Sequence, residues 1–225
     1  MNAKKYMKAI TFSYDDGVEQ DLRLLEILNR YGLKATFNLN TALDASTPSW
    51  MYKSLEVKRL NLTDYITAYK GHEIAVHTLT HPNLCGLDES QFEEEVLKDR
   101  ENIVRIFGQK VSGMAYPYGA YSDTVVNKLS KYGFKYARTV ENTHSFDIQN
   151  DLLRFKPTCH HDDEKLFELA EKFISMDAHK PQIFYVWGHS YEFEGNKNWD
   201  RFEDLCRLVS GRDDILYGTN AEVLL

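Results

Sequence analysis

Apolar positions along this chain alternate between two rhythms. Short runs rich in β-branched and aromatic residues are each followed by a stretch with a helical repeat. Residues 8–12 (KAITF) read as a strand, and residues 20–32 (QDLRLLEILNRYG) place Leu22, Leu25 and Leu28 on one helical face, with Gly32 as the stop. Residues 35–39 (ATFNL) predict the next strand, and residues 41–62, containing DASTPSW, predict an irregular loop insertion. Thr63 is placed to cap a short helix reaching about residue 70, before Gly71 and a strand at residues 73–77 (EIAVH). A long helix over residues 88–107 carries Phe92, Val96, Ile103 and Phe107 at helical spacing and ends at Gly108. Further strands are predicted at residues 111–116, 135–140, 182–188 and 214–218, and residues 151–157 read as a short strand or extended segment. Helices are predicted at residues 122–133, 163–175 and 199–211, with Asn220 capping a short terminal one.

Strand–helix alternation implies a parallel sheet with helical crossovers. About seven such units in one chain fit a parallel (β/α) barrel, with an open doubly wound sheet as the alternative. No repeat, low-complexity tract or linker interrupts the pattern, so residues 1–225 are expected to form one domain.

Composition narrows the partners rather than the fold. The formal charge of −7 and pI of about 5.6 argue against nucleic acid or an anionic membrane. No apolar run approaches the roughly 18 residues of a membrane helix. The first residues, MNAKKYMKAITF, hold no signal-like apolar core, so a cytoplasmic location is expected, a trimmed secreted form being the alternative. Cys85, Cys159 and Cys206 form no CxxC pair, which implies neither a disulfide framework nor a cysteine zinc site. The 14 tyrosines either stack on sugar rings or fill the core.

The chemistry-bearing residues lie at strand ends. Asp15 and Asp16, in TFSYDDG, close the first strand, and two adjacent carboxylates repel unless something positive sits beside them. His77 ends a strand and His81 follows four residues later in HTLTH; PYG (117–119) and His189 follow two further strands. In a parallel barrel these ends open on one face, where catalytic groups gather. Two imidazoles and a carboxylate would give a divalent ion three ligands and leave a position open for water, provided the segment 77–81 turns back. The alternative is a helix start with His77 in the core and His81 in solvent.

TFSYDDG, HTLTH, YPYG and WGH, running in that order from residue 11 to 189, make the chain resemble the polysaccharide deacetylase family, carbohydrate esterase family 4. The resemblance implies a distorted (β/α) barrel, one divalent ion, most often zinc with cobalt, nickel or manganese possible, and hydrolysis of an N-acetyl or O-acetyl group on a sugar. It implies that Asp16, His77 and His81 hold the metal and that Asp15 is the general base. The Tyr118 backbone N–H would stabilise the oxyanion, His189 would be the acid, and Trp187 would wall the acetyl pocket or belong to the core. No nucleic acid or membrane partner is implied, and the oligomeric state stays open.

Two departures matter. The family's third motif usually opens with an arginine that orients the base; Ala115 stands there. The fourth usually carries an aspartate; here the strand reads KYARTV. Arg138, or alternatively Arg154, is placed to replace the arginine. These changes keep two other readings in view: a related amide hydrolase (sugar deformylase or cyclic ureide hydrolase) and a carbohydrate-binding homologue without catalysis. CHHDDE (159–164) reads as a helix cap rather than a second metal cluster, because adjacent side chains on an extended chain point opposite ways. His72 and Glu73 read as loop and strand-edge residues, EEE (93–95) as a solvated helix face, and SYEFEGNKNW (190–199) as a substrate rim or surface loop.

Overall fold

The computed structural model of the chain describes residues 6–225. Strand β1 (Lys8–Asp15) leads into α1 (Asp21–Arg30), and β2 (Ala35–Leu39) follows. A hairpin of β3 (Trp50–Tyr52) and β4 (Leu55–Val57) precedes β5 (Glu73–Val76). The long helix is α2 (Glu89–Phe92), a π-turn (Glu93–Leu97) and α3 (Lys98–Phe107). Then come β6 (Gly113–Ala115), α4 (Asp123–Lys131), β7 (Tyr136–Arg138), β8 (Cys159–His160) and α5 (Leu166–Ser175). The chain ends with β9 (Gln182–Gly188), α6 (Ser190–Asn196), α7 (Trp199–Val209), β10 (Ile215–Tyr217) and α8 (Asn220–Leu224).

Seven parallel strands run in the order β7-β6-β5-β2-β1-β9-β8. β10 adds an eighth by pairing with Lys8–Ile10, on the β1 edge that β2 occupies from Phe12 onward. The two ends of the sheet meet through Phe155. Its N–H donates to the Ala137 carbonyl at 3.0 Å and its own carbonyl accepts from Thr139 N–H at 2.9 Å, while Thr158 N–H donates to Tyr185. Residues 155–160 thus cross from β7 to β9, and the sheet curls into the expected distorted barrel.

Period-two alternation sorts the strand residues. Ile10, Phe12 and Tyr14 of β1, with Phe184 and Val186 of β9, pack outward against the helices. Thr11, Ser13 and Asp15 face the other way. They meet Ile183, Tyr185 and Trp187, and the floor is the start of α8, where Asn220 accepts from Thr11 and donates to the Tyr185 hydroxyl at 2.6 Å. Asp15 therefore tops an inward-facing polar row.

Several local expectations are corrected. The 41–62 insertion holds the hairpin, whose three-residue strands are too short to show a period. After Thr63 there is only a 3-10 turn, Leu62–Asp64, and no α-helix. Residues 190–196 form α6 rather than a loop. His72 and Glu73 are buried: the His72 Nδ1 accepts from Ala35 N–H, and Glu73 accepts from Thr36, Tyr136 and Ala221 inside the barrel. Among the described residues no helix is long and apolar enough to cross a membrane.

Candidate metal centre

β1 ends at Asp15, and the chain turns at once: Asp16 and Gly17 both have positive φ, 87° and 70°. That left-handed turn sends the two carboxylates to different partners. Asp15 Oδ1 accepts from Asn38 Nδ2 at 2.8 Å, and Oδ2 is paired with the Arg138 guanidinium. Burial pushes the Asp15 carboxyl up, but Arg138, His77 and His189 outweigh it and hold it below the ordinary aspartate value. Asp16 Oδ1 lies 4.0 Å from His77 Nε2 and 3.9 Å from His81 Nε2, with the Arg59 guanidinium 3.7 Å away.

The His77 ring shows its tautomer. Nδ1 lies 2.9 Å from the Ala115 carbonyl, which can only accept, so Nδ1 carries the hydrogen and the Nε2 lone pair faces Asp16. The position that lacks the family arginine thus contributes its backbone to a histidine that faces Asp16. The segment from His77 to His81 does turn back, with Thr78 at φ 69° and His81 at φ 61°. Asn40 Nδ2 donates to the carbonyls of His77 and Thr78. The π-turn holds the same loop from the other side: the Glu95 carbonyl accepts from Leu79 N–H, and its carboxylate accepts from the N–H and hydroxyl of Thr80. Glu95 is therefore no idle member of a solvated EEE face. Asp99, one turn on, is buried and accepts from the His77 N–H and from both donors of Thr41. Burial lowers the pKa of His77 and takes that of His81 down to about 4, so both rings are neutral at pH 7 and able to ligate. The donor set, two imidazole nitrogens and one carboxylate oxygen within 4.8 Å of one another, fits a divalent cation.

The other sequence-selected residues stand around this trio. Arg138 is 1% exposed, and its guanidinium sits 4.6 Å above the Trp187 ring as well as on Asp15. Arg154 pairs instead with Asp151 and Asp123 at the surface, so only Arg138 reaches the base position. His189 turns Nε2 toward Asp15 Oδ2 (3.9 Å) and Asp16 Oδ2 (4.0 Å). Burial opposes its charged form, but Glu192, Asp16 and Asp15 raise its pKa to about 9. Tyr118 has φ 58° and is 69% exposed as a residue, its ring packed edge-on against His81 at 4.5 Å between centroids. Trp187 lines the cleft and donates to Asn142 through Nε1 at 2.9 Å. The cleft encloses about 490 Å³, and Trp50, Arg59, Tyr116 and Tyr191 complete its wall.

Sequence reading missed Glu95, Asp99, Arg59 and Glu192, none of which sits at a strand end. CHHDDE was read only in part: Asp163 does accept from the Lys165 N–H at 2.9 Å where the chain enters α5, but the two histidines converge. His160 and His161 both bring Nε2 to one oxygen, Glu192 Oε2, at 3.1 and 3.3 Å, because the chain leaves its strand at His160. The N-cap of α5 is Lys165, while Asp162 accepts from Asn196 and Asn198.

The profile of the family described as polysaccharide deacetylase matches residues 2–137. The peptidoglycan-N-acetylglucosamine deacetylase of Bacillus cereus is 30% identical over 132 residues, which is 57% of this chain and 43% of that protein. The chain thus matches less than half the length of the first curated relatives. Among solved structures, a wild-type carbohydrate esterase family 4 pseudoenzyme from Bacillus anthracis superposes over 100% of this chain and 67% of its own, with a TM-score of 0.55 and 19% identity. The Streptococcus pyogenes deacetylase PplD, solved with acetate, covers 64% of this chain and 61% of its own, with a TM-score of 0.55 and 23% identity. Both likenesses are likenesses of fold.

Proposed function

Because the chain belongs to the polysaccharide deacetylase family, we propose that it hydrolyses the acetyl group of an N-acetylated or O-acetylated sugar, using one divalent cation held by Asp16, His77 and His81. Zinc suits the two-imidazole, one-carboxylate set, and cobalt, nickel or manganese would accept it. The observation that carries the reading is the His77 tautomer: its Nδ1 bond to the Ala115 carbonyl leaves Nε2 open toward Asp16 and His81. A cation bound there supplies Lewis acidity to the acetyl carbonyl and acidifies water, from a pKa of 15.7 to about 7 in the best zinc case.

The chain's own groups divide the remaining work. Asp15, kept ionised by Arg138 and aimed by Asn38, accepts a proton from the attacking water. The Tyr118 backbone N–H stabilises negative charge on the carbonyl oxygen. His189, protonated at neutral pH, donates from Nε2 to the leaving nitrogen or oxygen. Trp187 packs against the acetyl methyl. The acetamido sugar named for the Bacillus cereus relative supports an N-acetyl substrate.

The test pairs metal analysis with product analysis, wild type beside His77→Ala. About one divalent ion per chain, lost in the variant, with acetate released from N-acetylated oligosaccharides and stopped by a chelator, is the expected result. Full-rate turnover by His77→Ala or Asp16→Asn overturns it. Formate or a ring-opened product without acetate moves the reading to another amide.

A further inference from the structure

Glu192 is the most crowded carboxylate on this side of the barrel. Its Oε2 accepts from the His189 backbone N–H at 3.0 Å and lies 3.3 Å from His189 Nδ1. The same oxygen lies 3.1 Å from His160 Nε2 and 3.3 Å from His161 Nε2. His161 is wholly buried between the rings of Tyr14 and Phe193, and a side chain at Gly188 would run into it. The group is therefore built, and it stands one imidazole away from the metal centre.

His160, His161 and Glu192 lie close enough together to hold a second cation. The tautomer of His160 decides against it. Its Nδ1 accepts from the Asp162 N–H at 3.1 Å, so the neutral ring carries its hydrogen on Nε2, the atom a cation would need bare. This is the reverse of His77. The Nε2–H of His160 instead faces Glu192.

We propose that Glu192 is the positioning residue of His189, and that His160 holds Glu192 in place for that task. His189 Nδ1 is buried and makes no hydrogen bond of good geometry among the described residues. The one carboxylate facing it is Glu192, 3.3 Å away, and because an ionised carboxylate only accepts, Glu192 favours a hydrogen on Nδ1 in both charge states of the ring. The proton exchanged with substrate is then always the one on Nε2, which faces the cleft. The spacing His189 to Glu192 brings the partners together within the first turn of α6, where Ser190 is tied to Asp21 at 2.5 Å. This carboxylate comes from the helix that follows the histidine.

The inference rests on His189 acting as the acid, so its test has one arm independent of turnover. Nitrogen-15 imidazole spectra of the wild-type chain should show His189 in the Nδ1–H form when neutral, changing to a mixture of tautomers in Glu192→Ala. A wild-type ring carrying its hydrogen on Nε2 overturns the proposal. In the kinetic arm, Glu192→Gln should lower kcat roughly 10- to 100-fold, with KM and metal content unchanged. His160→Ala should lower kcat less, and the double variant should be no slower than Glu192→Gln alone, because His160 acts through Glu192. A kcat within twofold of wild type in Glu192→Gln, or losses that multiply in the double variant, overturns it. If the wild-type chain releases no acetate, the deacetylase reading fails and the spectra alone decide the positioning; if Glu192→Ala does not fold, the His160→Ala spectrum replaces it.

Discussion

Asp15 and Arg138 form the buried ion pair on which the candidate base depends, and each is costly alone. Removing one partner of such a pair commonly destabilises by about 3–5 kcal/mol, because the other charge stays buried. Arg138→Met in the metal-free chain should therefore lose about 3 kcal/mol at pH 7 by urea unfolding. In the wild type the Asp15 carboxyl is held below its unfolded value, so its contribution is present above that value and lost only as pH falls through the folded one. In the variant, burial is opposed by His77 and His189 alone, so the folded pKa rises relative to the wild type's. Asp15 of the variant then takes up its proton at a higher pH than in the wild type, and the stability gap should narrow as pH falls. A gap constant with pH would mean that Arg138 works only through its packing on Trp187. His189 gives a second pH signature. Its raised pKa keeps it protonated at neutral pH, and a bound cation would lower that pKa, so kcat/KM should fall as pH rises through a value at or below about 9. His189→Asn should lose that limb. Asp15, Asp16, His77 and His189 were legible in the sequence because each sits at or just after a strand end, where barrel geometry leaves little choice of face, and His81 through its spacing from His77. Arg138 was legible only as one of two arginines, since choosing it over Arg154 requires knowing which strand faces Asp15. Glu192 looked like one more polar residue in SYEFEGNKNW; only the helical turn at 190–196 brings it back onto His189.

At the scale of elements, the β3–β4 hairpin is the part of the cleft that belongs to no barrel strand. It places Trp50 edge-on to Tyr191 at 5.6 Å and under the Arg59 guanidinium at 5.0 Å. Its Tyr52 ring occupies the space a side chain at Gly195 would need, which seats the hairpin on α6. Trp50 lines the cleft wall on Tyr191 and Arg59, neither of them in the ligand trio, and on the proposed reading its ring is offered to the sugar rather than to the reacting bond. Contacts made equally in ground and transition states affect KM alone. Trp50→Ala should raise KM for an oligosaccharide about 5- to 10-fold, the equivalent of roughly 1–1.5 kcal/mol of aromatic contact, with kcat within twofold. A loss confined to kcat would instead tie Trp50 to Asp16 through Arg59. The hairpin escaped sequence analysis because three-residue strands show no period and its turn uses Lys53 at φ 54° rather than an Asn-Gly pair. The π-turn escaped for a related reason: one extra residue in a helical turn leaves the apolar spacing of Phe92, Val96 and Ile103 nearly intact.

Across the whole molecule, the barrel was legible because its strands are short, apolar and separated by well-stopped helices, whereas its closure was not. The ends are joined by Phe155, which lies in a segment readable as a short strand or extended piece but with no partner assigned, and by the two residues of β8, too few to show a period. This architecture would couple a cation at the candidate centre to global stability. Asp16 follows β1, His77 follows β5, and His81 hangs on a loop braced by the helix between β5 and β6. Unfolding separates these three, so a cation that binds only the folded chain stabilises it by RT ln(1 + [L]/Kd), about 2.7 kcal/mol at a hundredfold excess over Kd. For a chain of this length, 1 kcal/mol moves Tm by about 2–4 °C, so saturating zinc should raise Tm by roughly 5–10 °C and a chelator should reverse it. His77→Ala should abolish the shift while leaving a folded, cooperative transition, because the cost of a lost imidazole is local. Glu192→Gln should keep the shift in full, since Glu192 faces His189 and not the cation. A zinc shift that survives His77→Ala would place the ion elsewhere in the barrel. One lost in Glu192→Gln would mean that the His160, His161 and Glu192 group holds it.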